Sequence, residues 1–290
     1  MLDRFRDFIK SENLFHRNQK ILVAASGGID SMVLCDLLSK SKIPFAIAHC
    51  NFQLRSNESE GDERFVKTSA KKIGVPFFSK KFDTKKVSGE NKISIQMAAR
   101  DLRYSWFEQL CISDGFHFIA TAHHINDEIE TFLINLVRGT GISGLHGILP
   151  KSGKIIRPLL FATRSEIENY AKINNIQFRE DSSNASDKYL RNKLRHKIIP
   201  LFKELNPDVE SSFFSAIKRM RQVEDLLHEI IEKQIQEIVK VEKGIITIDI
   251  LKLKELKHRK LFLFEFLKRY GFSGDIIDQI DNVLEANPGK

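Results

Sequence analysis

The chain has 290 residues, 42% of them hydrophobic, and a formal charge of +8, which is enough for one large domain and a smaller one. No apolar run approaches the roughly 20 residues of a bilayer span, and the opening MLDRFRDFIK has no apolar secretory core, so neither a membrane protein nor a secreted one is expected. The three cysteines, Cys35, Cys50 and Cys111, are odd in number and form no CxxC pair, which argues against a disulfide framework or a structural zinc site and for a reducing cytoplasm.

The N-terminal segment reads as a short amphipathic helix with Leu2, Phe5, Phe8 and Ile9 on one face. Lys20–Ala25 is a β-type run, residues 31–41 are helical, and Ile43–Ala48 is extended. Residues 60–73 predict a helix, 75–82 a strand, 92–112 a long helix, His117–Ala122 a strand, and 126–138 a helix with Ile129, Phe132, Leu133, Leu136 and Val137 on one face. Strands alternating with helices imply βαβ units and a doubly wound parallel sheet. The runs ILVAA and FIATA are apolar without alternation, as strands buried on both faces should be. Residues 139–147, GTGISGLHG, hold four of the 15 glycines and predict a mobile or close-approach loop. A short extended run at 155–160 precedes a helix over 163–174, with Thr163 as N-cap and Glu166 as its capping-box partner. Residues 179–187 are polar and turn-rich. From about 206 the alternation stops. A long helix (208–240), a β-type piece (Gly244–Ile250) and two helices (251–270 and 274–286) follow. The expected division is therefore an α/β domain over 1–207 and a smaller, mainly helical domain over 208–290. Residues 188–221 carry nine Lys/Arg against three acids, which suits a polyanionic partner and equally a solvated helix face.

The segment Ser26-Gly27-Gly28-Ile29-Asp30-Ser31 ends the first strand and opens the next helix. Glycines let a backbone turn tightly and approach an anion closely, and the helix N-terminus faces that anion with free N–H groups. The segment lacks the lysine of a P-loop and carries Asp30 in its region. An acid beside a polyphosphate calls for a divalent cation between them, so the physical reading is ATP with Mg²⁺. Asp127, Glu130 and Thr131 follow FIATA at i, i+3, i+4 spacing on one helix face.

SGGIDS resembles the pyrophosphatase loop of the N-type ATP pyrophosphatases. HCNFQLR (49–55), AARDLRYSWF (98–107), TAHHINDEIETFLINLVRGTGISGL (121–145), IIRPLL (155–160) and REDSSNASDKYLRNKLRHKIIP (179–200) resemble the tRNA(Ile)-lysidine synthetase family. The tail around 255–271 is similar to that family's second, substrate-binding domain. The chain departs from the family at His49–Phe52 and at Gln96. It ends at Asn287-Pro288-Gly289-Lys290 without the additional C-terminal domain of longer members, as expected of a short form or a truncated one.

The resemblance implies that ATP adenylates the wobble cytidine of a CAU anticodon and that free L-lysine then displaces AMP. ATP would lie on Ser26, Gly27, Gly28, Ile29, Asp30 and Ser31, with Asp30 on Mg²⁺ or assisting deprotonation of the lysine nucleophile. Asp127 and Glu130 would hold lysine, and Asp30, Asp127, Glu130 and Arg195 would form the catalytic set. Arg100, Arg103, Arg191, Lys218, Arg219 and Arg221 would contact tRNA. His123 and His124 read as strand-end packing and hydrogen-bonding residues rather than metal ligands. Cytidine thiolation on the same scaffold is disfavoured by the lack of CxxC, and a non-catalytic tRNA-binding protein by the joint presence of SGGIDS, Asp127 and Glu130. A homodimer is compatible with the chain, and nothing in the sequence sets its oligomeric state.

Overall fold

A computed structural model describes residues 1–55, 57–180 and 190–285. Lys188, the polar stretch after Glu180 and the terminal Asn287–Lys290 lie outside the described residues. The first elements are α1 (Leu2–Ser11), β1 (Ile21–Ala24), α2 (Ile29–Lys40), β2 (Phe45–Asn51), α3 (Asn57–Ile73) and β3 (Phe77–Lys81). They are followed by α4 (Thr84–Glu90), α5 (Ile95–Ser113), β4 (Phe118–Ala120), α6 (Ile125–Val137), α7 (Ile142–Leu145), β5 (Lys151–Ser152), β6 (Ile155–Ile156) and α8 (Arg164–Ile173).

The six strands form one sheet in the order β3-β2-β1-β4-β6-β5. All neighbours are parallel except β5 and β6. Ile21 is in register with both Phe45 and Phe118, so β1 is central. Its side chains feed two cores. Ile21 and Val23 join Phe5, Val33, Leu34 and Ile47, whereas Leu22 joins Ala46, Trp106, Phe107 and Ile119. Burial on both faces explains why ILVA shows no polar alternation. The chain moves from β1 to β2 on one side and places β4 on the other. The crevice between the carboxyl ends of β1 and β4 is thus the topological switch point where such sheets bind ligands.

The helix expected over 92–112 forms as α5, and two local features differ from expectation. A further helix, α4, precedes α5. Asp83 caps α4 by accepting from the Lys86 N–H, and Ser94 caps α5 by accepting from the Met97 N–H. The extended run expected over 155–160 pairs only at Ile155–Ile156, because Pro158 has no N–H to give a ladder. The α8 capping box forms as expected, with Thr163 and Glu166 bonded reciprocally.

After residue 189 come α9 (Leu190–Lys193), a π-helical turn (Leu194–Ile198), α10 (Ile199–Leu205) and α11 (Val209–Ile238). The chain divides into two compact units, Met1–Ile217 and Lys218 onward. The division falls inside α11, later than the expected 207/208. Phe213 and Phe214, at the start of α11, pack with Ile125, Ile129, Leu133, Leu194 and Ile199 of the first unit, and Ile217 is fully buried. The second unit holds the hairpin β7 (Val239–Glu242) and β8 (Ile245–Ile248), then α12 (Ile250–Glu255), α13 (Arg259–Leu267) and α14 (Gly274–Glu285). Its core is Ile231, Ile238, Leu253, Phe262, Leu263, Phe266 and Ile277. The helix expected over 251–270 is interrupted at Leu256, whose backbone is extended. Among the described residues no helix is long and apolar enough to cross a membrane.

Candidate active site

The loop between β1 and α2 gives its two glycines different tasks. Gly27 has φ +96°, and a Cβ there would sit 3.1 Å from Val66 Cγ2. Conformation and space both demand glycine at this position. Gly28 has φ −73°, and a Cβ there would meet only Ser26 Oγ at 3.4 Å. Its glycine is therefore dispensable for folding and matters for how closely a ligand can approach the backbone. Ser31 Oγ donates to the Gly28 carbonyl at 2.9 Å. The Gly27 carbonyl accepts the Arg179 backbone N–H at 3.0 Å, and the Arg179 guanidinium bonds Asp62 of α3. The strap at 175–180 is thereby tied to the loop.

Asp30 lies in the first turn of α2, at the dipole's positive end. Arg164 Nη1 donates to both its oxygens at 2.9 Å. Burial pushes the Asp30 carboxyl above the usual carboxylate range, against the pull of His124 and Arg164. His124 follows β4 and is the N-cap of α6. Its Nε2 lies 3.9 Å from Asp30 and 3.5 Å from Asp127, and its buried Nδ1 has no partner. Asp127 accepts the His124 backbone N–H at 3.1 Å. Burial alone would raise its carboxyl, yet the two histidines, that N–H and Arg195 hold it below the usual range.

Glu130 has no exposed surface. Arg195 grips it with two bonds, Nε to Oε1 at 2.7 Å and Nη2 to Oε2 at 3.1 Å. Arg191 Nε adds a contact to Oε2 at 3.4 Å, and Arg191 Nη2 donates to Thr131 Oγ1 at 2.9 Å. Burial raises the Glu130 carboxyl, and the bond to Arg195 opposes it. Arg195 also reaches Asp127 at 3.5 Å. It stands within the π-helical turn 194–198, a backbone irregularity that re-aims a side chain and is common at functional sites. His123 bonds Thr121 Oγ1 at 2.8 Å, and burial lowers its ring to about 4.

These groups face a cleft of about 1200 Å³ lined by Ser26, Gly28, Asp30, His124, Asp127 and Arg195, with Arg164 and the 175–180 strap as its far wall. A smaller pocket of about 230 Å³ shares Ser26 and Asp30 and adds Ser31, Phe52, Arg103 and His123. The structure thus gathers Ser26, Gly28, Ile29, Asp30, Asp127 and Arg195 on one cleft and puts Arg103 in the pocket behind it, stacked 5.3 Å over Phe52. Arg100 lines neither pocket. It is exposed and stacks on Tyr104 at 4.9 Å. Lys218 and Arg219 are exposed and Arg221 half-buried in the second unit. Sequence reasoning missed Arg164 and Arg179. Arg164 had one usable signal, its place as the first residue of a capping-box helix just after IIRPLL. Among the described residues no group of three or more His, Cys, Asp or Glu could hold a metal ion by itself.

Residues 2–202 match the PP-loop domain family, and residues 240–290 match the TilS substrate binding domain. The tRNA(Ile)-lysidine synthase of Bacteroides thetaiotaomicron is 43% identical over 98% of this chain and 66% of its own length. That of Porphyromonas gingivalis strain W83 is 39% identical over 100% of this chain and 63% of its own length. The chain thus spans about two thirds of the length of these curated relatives. The tRNA(Ile)-lysidine synthase of Chlorobaculum tepidum is 34% identical over 99% of this chain and 89% of its own length. Among solved structures, the U34-tRNA thiolase NcsA of Methanococcus maripaludis, with its 4Fe–4S cluster, superposes with a TM-score of 0.61 at 19% identity, over 75% of this chain and 77% of that one. At that identity the likeness concerns the fold. The switch-point cleft thus sits on a PP-loop scaffold, and with both halves of the architecture matched in order, the chain belongs to the tRNA(Ile)-lysidine synthase family.

Proposed function

We propose that this chain ligates L-lysine to C2 of the wobble cytidine in tRNA(Ile) bearing a CAU anticodon, with ATP cleaved to AMP and pyrophosphate. The cytidine O2 attacks the α-phosphorus and the bond to pyrophosphate breaks. The lysine ε-amine then attacks C2, its C–N bond forms, and the C2–O bond to AMP breaks. The observation that carries the reading is the convergence of the SGGIDS loop with Asp127 and Arg195 on one cleft at the switch point.

Ser26, Gly27, Gly28, Ile29, Asp30 and Ser31 cradle the phosphates with loop amides and hydroxyls. The Asp30 carboxylate on this cleft is a hard oxygen donor that fits Mg²⁺ bound jointly with phosphate oxygens. Bound there, Mg²⁺ would neutralise the phosphate charge, with Asp30 as its principal protein ligand. Asp127, held ionised by its neighbours, suits recognition of the lysine ammonium. Glu130 joins lysine recognition indirectly. Its oxygens are held by Arg195 and Arg191, so it fixes the arginine that faces the cleft. Arg195 then meets charge developing on the reacting nucleotide. Arg103, Arg191 and Arg100, with Lys218, Arg219 and Arg221 of the second unit, serve tRNA phosphates and bases. A thiolation reading has less support, since the relatives matched over nearly the whole chain are tRNA(Ile)-lysidine synthases and the sequence has no CxxC pair.

The test separates the half-reactions. With ATP and the CAU-anticodon tRNA but no lysine, AMP label from the α-phosphate should transfer to tRNA. Addition of lysine should release it as AMP. Asp127→Ala should still adenylate tRNA but need far more lysine to finish. ADP as the product, or a lysine requirement unchanged in Asp127→Ala, contradicts the proposal.

A further inference from the structure

The SGGIDS loop contains no cation, so phosphate charge bound there must be met from elsewhere on the cleft. Among the lining residues the basic side chains are Arg164, Lys172, Arg179 and Arg195. Lys172 is exposed, Arg179 is tied to Asp62, and Arg195 is tied to Glu130. Arg164 differs, because its partner is the very carboxylate that a divalent cation would take. Its Nη1 stands 2.9 Å from both Asp30 oxygens, and its Nε bonds Glu168 at 2.7 Å.

The backbone beneath it is fixed, and the head reaches into the open cleft. The Arg164 N–H donates to Asn126 Oδ1 at 2.8 Å, and Asn126 in turn bonds Glu210. The side chain itself is 41% exposed and borders both the main cleft and an adjoining one of about 700 Å³. A planar guanidinium fits phosphate oxygens as readily as carboxylate oxygens. We propose that Arg164 is a displaceable counter-ion. It occupies Asp30 when no metal–nucleotide is bound, and it passes to the phosphates when a divalent cation takes Asp30. The inference rests on the reading of this loop as an ATP–Mg²⁺ site.

Linkage gives the consequence. Whatever draws Arg164 off Asp30 raises metal affinity, and whatever metal binds Asp30 raises phosphate affinity by the same factor. Metal and nucleotide then enter as a pair, and Asp30 is kept from collecting metal alone.

The test uses the full chain with Mn²⁺ as the metal probe, read by the electron paramagnetic resonance of free Mn²⁺, and α,β-methylene-ATP as an uncleavable nucleotide. Without nucleotide, R164Q should bind Mn²⁺ about tenfold more tightly than wild type, within the usual range of coupling between two ligands. R164K, which keeps a cation beside Asp30, should stay near wild type. The gain should vanish in R164Q/D30N. With Mn²⁺ present, R164Q should bind the analogue more weakly than wild type. Wild-type Mn²⁺ affinity in R164Q, or a gain that persists in R164Q/D30N, overturns the proposal even if lysidine forms normally. A wild-type chain that does not bind the analogue at all overturns the ATP reading itself.

Discussion

At the carboxyl edge of the sheet three acids are held by arginines: Asp30 by Arg164, Asp127 by Arg195, Glu130 by Arg195 and Arg191. From Lys218 onward the pattern differs. Lys260–Asp278 and Arg269–Glu232 are ion pairs of exposed or half-exposed side chains, the kind that contributes little to stability. That unit instead holds together through an apolar cluster around Phe262, Leu263 and Phe266. Apart from the enclosed Arg259–Asp281 pair, the pairs named in the second unit are solvated and replaceable, whereas the sheet edge arranges Asp127 and Glu130 around shared arginines where chemistry is expected. Perturbing the first region should change stability and rate together. Perturbing the second should change only electrostatic attraction.

The largest effect that sharpens this contrast is at Arg195. Its removal leaves Glu130 buried with only the longer Arg191 contact, and breaking such a pair should cost about 3 kcal/mol. Urea denaturation of Arg195→Ala measures it, and Glu130→Gln with Arg195→Ala should recover part of the loss. An equally large loss from Lys260→Ala in the second unit would break the contrast.

Acid sensitivity comes next. Burial lowers His123 from 6.5 to about 4. The unfolded chain therefore takes the proton first, so stability is full above pH 6.5 and falls as the pH drops toward 4, by about 2–3 kcal/mol. His123→Gln should flatten that part of a stability–pH curve, and an unchanged slope would refute the assignment.

A smaller effect separates the two loop glycines. Gly27→Ala forces a left-handed residue with a Cβ and should destabilise by about 1–2 kcal/mol. Gly28→Ala should melt like wild type yet bind ATP more weakly. Equal melting temperatures for both variants would contradict the division of labour between them.

The smallest expected effect lies in the second unit. Replacing Lys218, Arg219 and Arg221 with glutamine should leave folding intact and weaken binding to all tRNAs alike. The salt dependence should flatten by about 0.7–0.9 in slope for each phosphate-neutralising side chain replaced. An unchanged slope would mean that these residues form only a solvated helix face.

What the sequence revealed follows from how local each feature is. The β1–loop–α2 and β4–α6 units were legible because an apolar run, glycines and a helical period lie side by side in the chain. The Thr163–Glu166 capping box was legible for the same reason. The short α4 was not, since its seven residues, TKKVSGE, carry no apolar period and it depends on the Asp83 cap. Asp30 and Asp127 could be picked as site residues, but their partners could not. Arg164 lies 134 residues from Asp30, and Arg195 lies 65 from Glu130. Only the folded sheet edge brings them together. Glu130 was likewise read without the two arginines that the fold places on it.

The central claim is lysine ligation at the sheet edge, and one measurement addresses it most directly. The chain is incubated with ATP, Mg²⁺, labelled L-lysine and a CAU-anticodon tRNA(Ile), and the digested tRNA is analysed by mass spectrometry. The account predicts lysine joined to the wobble cytidine, with AMP and pyrophosphate formed in equal amounts, and a fall in all three products by on the order of 10³-fold in Asp30→Asn, as for other preorganised charge stabilisers. An unmodified cytidine, a thiolated one, or full activity in Asp30→Asn would contradict it.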